Sequence, residues 1–195
     1  MLSNRISEQT IAIMDDVQIL EEIKNGNTDA YLQIVRRYES LVAGTVIGMI
    51  GKCSEAEDIG QEVFIRFYKA INRFRGESSV GTYLSRIAIN LSLNELKRRK
   101  RKNLFFKYTD EQPLDIADDN TNSDYDDSAE WVQKAIQKLE PKFRSVIVLR
   151  LIEKHSTEET ADILKIPPGT VLSRLSRGQQ KLRKILSSLL EIENG

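Results

Sequence analysis

Residues Ser156–Arg183 read STEETADILKIPPGTVLSRLSRGQQKLR, and this stretch decides the fold class. Ser156-Thr157-Glu158-Glu159 has the form of a capping box, in which the serine hydroxyl accepts from a free backbone N–H and Glu159 reaches back. It predicts a short helix ending near Leu164. Lys165-Ile166-Pro167-Pro168 makes a turn, and a long helix follows from about Gly169 to Leu190. Its buried stripe is Val171, Leu175, Gly178, Leu182, Ile185 and Leu189. A short helix, a tight turn and a second helix form the helix-turn-helix plan, with Ala161 small where the two helices cross. The second helix then turns Ser173, Arg174, Ser176, Arg177, Gln180 and Lys181 outward. Arg, Ser and Gln reach base edges and phosphates in a major groove, and the helix N-terminus offers free N–H groups to a phosphate. A helical hairpin with a solvated basic face satisfies the same spacing.

Working outward, Ser128–Leu139 reads as a helix anchored in its core by Trp131, and Pro141 suits the first turn of another that runs to about Ile152. Further towards the N-terminus, Asp16–Lys24 is a short helix closed by the turn Asn25-Gly26-Asn27. Asp29–Ile50 follows, with Leu32, Val35, Tyr38, Leu41 and Val42 at helical spacing and Gly51 at its end. Ser54-Glu55-Ala56-Glu57 repeats the capping-box pattern and opens a helix that carries Ile59, Val63, Phe64, Phe67 and Ile71 on one face. After the loop Arg75–Ser78, a helix from about Ser79 to Arg101 lines up Val80, Tyr83, Leu84, Ile87, Ala88 and Leu91. Nothing reads as a strand ladder. The expectation is an all-α chain of two small helical domains, 1–107 and 128–195, joined by a flexible acidic linker at 108–127.

Charge supports that division. The 195 residues carry 29 basic and 29 acidic side chains, and a net charge of zero taken alone argues against a nucleic-acid partner. The sum conceals a sorting. Residues 95–107 hold seven basic side chains and one acidic, residues 108–130 hold nine acidic and no basic ones, and residues 131–195 hold twelve basic against seven acidic. Asp110–Ser128 has no helical or strand period and reads as a solvated tether between two cationic blocks. Its carboxylates are suited to keeping the free chain off random DNA. A single cysteine, Cys53, excludes an internal disulfide, and a lone His155 excludes a His-rich metal site. The longest uncharged run, Ser40–Gly51, is shorter than the roughly 20 residues that span a bilayer, and the first residues lack an apolar signal segment. A cytoplasmic protein with no cofactor, no metal and no membrane insertion is expected. Cys53 reads as a small structural residue and His155, just before a helix cap, as an ordinary polar one.

Two more constellations stand out. Thr82, Arg86, Asn90 and Lys97 form a polar strip on the helix that ends in the basic run, and Phe74, Arg75 and Ser78 lie in the loop before it. Polar groups beside aromatics, leading into cations, suit unstacked single-stranded bases and a phosphate backbone. A solvated face is the plainer alternative. In Ala56–Phe64, Asp58 and Glu62 share a face with Glu55 nearby, which raises the question of a metal-dependent hydrolase. With no histidine or Gly-rich phosphate loop beside them, these carboxylates read better as a docking face for a basic partner.

Ala56–Asn90 (AEDIGQEVFIRFYKAINRFRGESSVGTYLSRIAIN) resembles region 2 of the extracytoplasmic-function bacterial sigma factors, and Leu139–Arg183 resembles their region 4. The resemblance implies a non-enzymatic subunit that binds core RNA polymerase and directs it to promoter DNA. It implies polymerase contact by Asp58, Gln61, Glu62 and Phe64. It implies a −10 reader formed by Phe74, Arg75, Ser78, Ser79, Val80, Thr82, Arg86, Asn90 and Lys97, with Ser78–Val80 shaping a pocket for a flipped base. The run Lys97–Lys102 would hold nearby phosphates. Thr170, Ser173, Arg174, Ser176, Arg177, Gln180 and Lys181 would read the −35 element, and the linker would run near the polymerase's RNA exit path.

The chain departs from the family pattern in four places. Tyr83 stands where Trp is usual, Leu172 and Gln179 replace common basic residues, and Gly178 replaces a usual Ala at about 1 kcal/mol of helix propensity. No regulatory domain is expected after residue 190, so an external anti-sigma protein is the expected regulator. A stand-alone helix-turn-helix regulator is the alternative reading.

Overall fold

The computed structural model describes residues 15–108 and 127–193, and every regular element among them is helical. Helix α1, Asp16–Lys24, starts at a reciprocal cap. Asp15 accepts from the Gln18 N–H at 2.9 Å, and the Gln18 side chain accepts from the Asp15 N–H at 3.1 Å. A 3₁₀ turn, Thr28–Ala30, leads into α2, Tyr31–Ile50. Its buried line runs through Ile34, Val42, Val46 and Met49, so Leu32 is 55% exposed and not on the core face as expected. Two residues from Ile34 is about 200° around a helix, which points Leu32 outward.

Helix α3 spans Ser54–Ala70 and buries Ala56, Val63 and Phe67. The expected capping box does not form here. Cys53 occupies the cap position with no side-chain cap bond. Ser54 is already inside the first turn, and its hydroxyl lies 3.3 Å from Glu55 Oε2. Helix α4, Val80–Tyr108, is capped by Ser79, whose Oγ accepts from the Thr82 N–H at 3.1 Å. It runs two turns beyond the expected end at Arg101. Glu95 pairs with Arg98 and Arg99, three and four residues on, which relieves repulsion within the basic run.

Helix α5, Asp127–Gln137, is followed by α6, Pro141–Ile147, with Pro141 in the first turn as expected. Helix α6 loosens into a wide π-type turn over Val148–Ile152. Helix α7, Thr157–Leu164, and α8, Pro168–Glu193, complete the fold. Trp131 does not anchor the core. It is only half-buried, with the Lys134 ammonium 5.4 Å from its ring, while Ala135, Ile136 and Leu139 point inward. The expected linker, apart from its end residues Tyr108 and Asp127, lies outside the described residues.

Helices α1–α4 and α5–α8 share one apolar core. It passes from Ile34, Val46 and Leu84 to Ile136, Ile147, Val148 and Ile163. The last four carbonyls of a helix lack internal partners, and the end of α2 meets that need mostly from the other group. Ile47 O accepts from Gln133 at 2.6 Å, Gly48 O from Gln137 at 2.9 Å, and Met49 O from Arg144 at 2.6 Å. Ile50 O accepts from Arg99 of α4 at 3.1 Å. Gly51, at φ +85°, then turns the chain away where a side chain would be strained. Among the described residues, no helix is long and apolar enough to cross a membrane.

Candidate nucleic-acid interface

The capping box of α7 forms as its sequence requires. Ser156 Oγ accepts from the Glu159 N–H at 3.0 Å, and the Glu159 carboxylate accepts from the Ser156 N–H at 2.7 Å. Lys165 closes the helix in the left-handed region at φ 54°, and the Ile166 N–H bonds Ala161 O at 3.1 Å. That tight exit lets Val171 of α8, fully buried, pack on Val146 and Ala161. Further along α8, a Cβ on Gly178 would stand 3.1 Å from Ile147 Cγ1, so the glycine lets α8 lie close on α6. Its departure from alanine is a packing requirement as well as a propensity loss.

With that face committed to the core, Ser173, Ser176, Arg177 and Gln180 are exposed, and Thr170 and Arg174 are half-exposed. Arg174 and Arg177 have no ion-pair partner among the described residues. Lys181 is held differently. It pairs with Glu140 at 2.9 Å and sits 5.2 Å from the Phe143 ring centroid, fastened to the start of α6. Leu172, 54% exposed, shares the outer surface.

On α4 the strip is divided. Phe74 stacks edge-on against Phe67 at 5.7 Å and Tyr83 at 5.2 Å, which pins the loop before α4 to α3. Tyr83 therefore fills the apolar place that a Trp would take. A cleft of about 530 Å³ opens there, lined by Arg73, Phe74, Arg75, Glu77, Ser78, Tyr83 and Arg86 on one side and by Asp162 and Lys165 on the other. Arg75, Ser79, Asn90 and Lys97 are exposed, whereas Val80 is buried. Thr82 is only 3% exposed and bonds the Glu159 carboxylate at 3.3 Å. Arg86 pairs with Asp162, and Ser85 Oγ lies 2.9 Å from His155 Nε2. The basic run is partly consumed by the fold. Arg98 and Arg99 engage Glu95 and Glu55, while Lys97, Lys100 and Arg101 face solvent.

On α3, Asp58 and Gln61 are exposed, and Glu62 pairs with Arg66 at 2.7 Å. Phe64 is half-buried, its carbonyl accepting from the Tyr31 hydroxyl at 2.5 Å. Ile65 and Tyr68 are exposed beside them. Sequence reasoning missed this pair because it looked for charges on the outer face.

It also missed His155, Glu159 and Asp162 as a contact set with α4, because their partners lie 70 or more residues away. His155 is buried, contrary to the ordinary polar role expected of it, and burial pushes its pKa down. The Ser156 backbone holds Glu159 below its ordinary value, and Lys165 followed by Arg86 does the same for Asp162. Glu153, against Gly44 of α2, is pushed up to about 7 by burial. No group of three or more His, Cys, Asp or Glu suited to a metal ion occurs among the described residues.

The family model for Sigma-70 region 2 matches residues 34–102, and that for Sigma-70 region 4 matches residues 129–182. The chain is 36% identical to the ECF RNA polymerase sigma factor SigW of Bacillus subtilis over 183 residues, covering 87% of this chain and 96% of that one. It is 32% identical to the RNA polymerase sigma-H factor of Pseudomonas aeruginosa over 184 residues, covering 90% and 95%. Among solved structures, CnrH in complex with the cytosolic domain of CnrY superposes with a TM-score of 0.66 at 23% identity, covering 89% of this chain and 97% of that one. The sigma factor RpoE in complex with the anti-sigma factor NepR from Bartonella quintana gives 0.64 at 22% identity, covering 80% and 96%. At these identities the two structures support the fold. The chain belongs to the extracytoplasmic-function group of the sigma-70 family, RNA polymerase sigma factors that act in transcription initiation. That membership displaces the stand-alone regulator reading.

Proposed function

We propose a division of labour for this sigma factor. Residues 1–107 dock on core polymerase through Asp58, Gln61, Glu62 and Phe64, with Ile65 and Tyr68 adding apolar area. They capture the opened −10 strand along Phe74, Arg75, Ser78, Ser79, Val80, Thr82, Arg86, Asn90 and Lys97. Residues 128–195 read the −35 duplex through Thr170, Ser173, Arg174, Ser176, Arg177, Gln180 and Lys181, and residues 108–127 tether the two. The chain works in the cytoplasm and contributes recognition and strand opening, while polymerase contributes the catalysis. An anti-sigma protein regulates it, in line with the RpoE–NepR pair among its structural neighbours.

One observation carries the −35 reading. The inner face of α8 is locked by Val171 and Gly178, and that leaves Ser173, Ser176, Arg177 and Gln180 exposed on a helix entered from a tight turn. The cleft at Phe74, Ser78 and Tyr83 supports base capture, because a flipped base needs a snug site to offset a few kcal/mol of unstacking. The test is transcription by sigma-free core polymerase on a pool of genomic templates. Added chain should produce discrete start sites, and their absence across the pool would remove the reading.

A further inference from the structure

The two helical groups meet over α4, and they cover part of the strip assigned above to the −10 strand, at Thr82 and Arg86, while Asn90 and Lys97 stay exposed. Thr82, Ser85 and Arg86 follow one another along one side of α4. Facing them, Glu159 bonds Thr82 at 3.3 Å, His155 bonds Ser85 at 2.9 Å, and Asp162 pairs with Arg86. Two groups that a DNA strand would use, the Thr82 hydroxyl and the Arg86 guanidinium, are therefore already engaged by carboxylates of this same chain. The arrangement is clamped from the far side. Gln133, Gln137 and Arg144 cap α2, and Gly48 of α2 lies against Val148, itself fully buried.

We propose that the isolated chain is held in a closed, self-inhibited state, in which Glu159 and Asp162 of the helix-turn-helix unit occupy the −10 reader until the two helical groups are parted. This inference rests on the assignment of the α4 strip to that reader. Because Ser173, Ser176, Arg177 and Gln180 remain exposed in the closed state, the device gates strand capture and leaves duplex contact open.

Gly48 is the lever that tests it. It lies outside both proposed DNA-facing surfaces, and a Cβ there would stand 2.8 Å from Val148 Cγ2 and 3.0 Å from Cγ1. Alanine is the better helix former, so Gly48→Ala strengthens α2 while wedging the groups apart. Gly48→Leu is a stronger wedge. The experiment uses full-length chain, with small-angle X-ray scattering for closure and fluorescein-labelled single strands of about 12 randomised nucleotides for binding. Wild type should be compact. The Gly48 variants should have a larger radius of gyration and bind the strand at least about fivefold more tightly. The double variant Glu159→Gln/Asp162→Asn should also gain affinity.

An extended wild type, or Gly48→Leu as compact as wild type, overturns the proposal. An opened chain that gains no affinity overturns it too, and Arg86→Ala in that background then separates the causes. If Arg86→Ala weakens the opened chain, the −10 assignment stands and only the self-inhibition is lost. If Arg86→Ala changes nothing, the −10 assignment falls with it.

Discussion

Arg144 Nη1 donates to the backbone carbonyl of Met49 at 2.6 Å, across the seam between the two helical groups. The same guanidinium donates to Gln137 Oε1 and Leu139 O, both at 2.9 Å, and to Gln137 O. One buried fork thereby finishes the C-terminus of α2 and braces the turn between α5 and α6. Arginine suits this place because its planar donors point in several fixed directions at once. Burial lowers its pKa to about 10, which still leaves it charged at neutral pH.

Arg144→Ala should therefore destabilise the chain by about 3 kcal/mol, since it strands several buried carbonyls without donors. Urea denaturation followed by circular dichroism measures this. Arg144→Lys should recover only a small part, because one ammonium cannot span those acceptors. A midpoint unchanged in Arg144→Ala would show that water replaces the fork.

Two glycines inside helices should respond to alanine in opposite directions. At Gly60 of α3 a Cβ meets nothing within 4 Å, so Gly60→Ala should stabilise by about 0.5–1 kcal/mol. At Gly178 the Cβ would press on Ile147, itself fully buried, and Gly178→Ala should destabilise by about 1–2 kcal/mol despite the same gain in propensity. Thermal melts of the two variants check the pair, and a stabilised Gly178→Ala would mean that α6 yields easily.

Glu153 gives the fold a pH dependence of definite sign. Burial raises its pKa from an ordinary 4.5 to about 7, so the folded chain holds this proton more tightly than the unfolded chain does. Its contribution to stability is full below 4.5 and is lost as pH rises through about 7. His155 acts oppositely, but its pKa is pushed down, so it charges only below its ordinary value of about 6.5. Glu159 and Asp162 are held low and stay ionised throughout the interval above that value. Between about pH 6.5 and 8, urea midpoints should fall with rising pH, and Glu153→Gln should flatten the slope. A flat wild-type profile would count against the burial of this carboxyl.

Arg177 and Lys181 should separate in promoter use. Arg177→Ala should weaken it by about 1–3 kcal/mol if the guanidinium contacts a base. Lys181 already bridges to Glu140 and Phe143, so Lys181→Ala should weaken promoter use less and lower the melting temperature more. Transcription assays on matched templates beside thermal melts distinguish the two, and equal effects in both assays would remove the distinction.

How much of this was legible in the chain depends on the range of the interaction. The capping box at Ser156 could be read directly, because both of its hydrogen bonds lie within four residues. The same four-residue pattern at Ser54 misled, because Cys53 takes the cap position and the serine hydroxyl, now inside the first turn, bonds Glu55 in place of a backbone amide. Helical spacing put Leu32 inward and residue type put Trp131 inward, and the neighbouring helices decided otherwise.

The amino-acid sequence by itself determined the helices, the turn between α7 and α8, the outward face of α8 and the sorting of charge along the chain. These follow from periodicity, local capping and residue type, which act over a few residues. Only the tertiary structure decided that Thr82 and Arg86 are covered by Glu159 and Asp162, that Gly48 and Gly178 are points of close approach, and that Arg144 ends a helix nearly 100 residues away. Those outcomes depend on which surfaces meet, and burial then sets both the partners and the protonation of the groups enclosed.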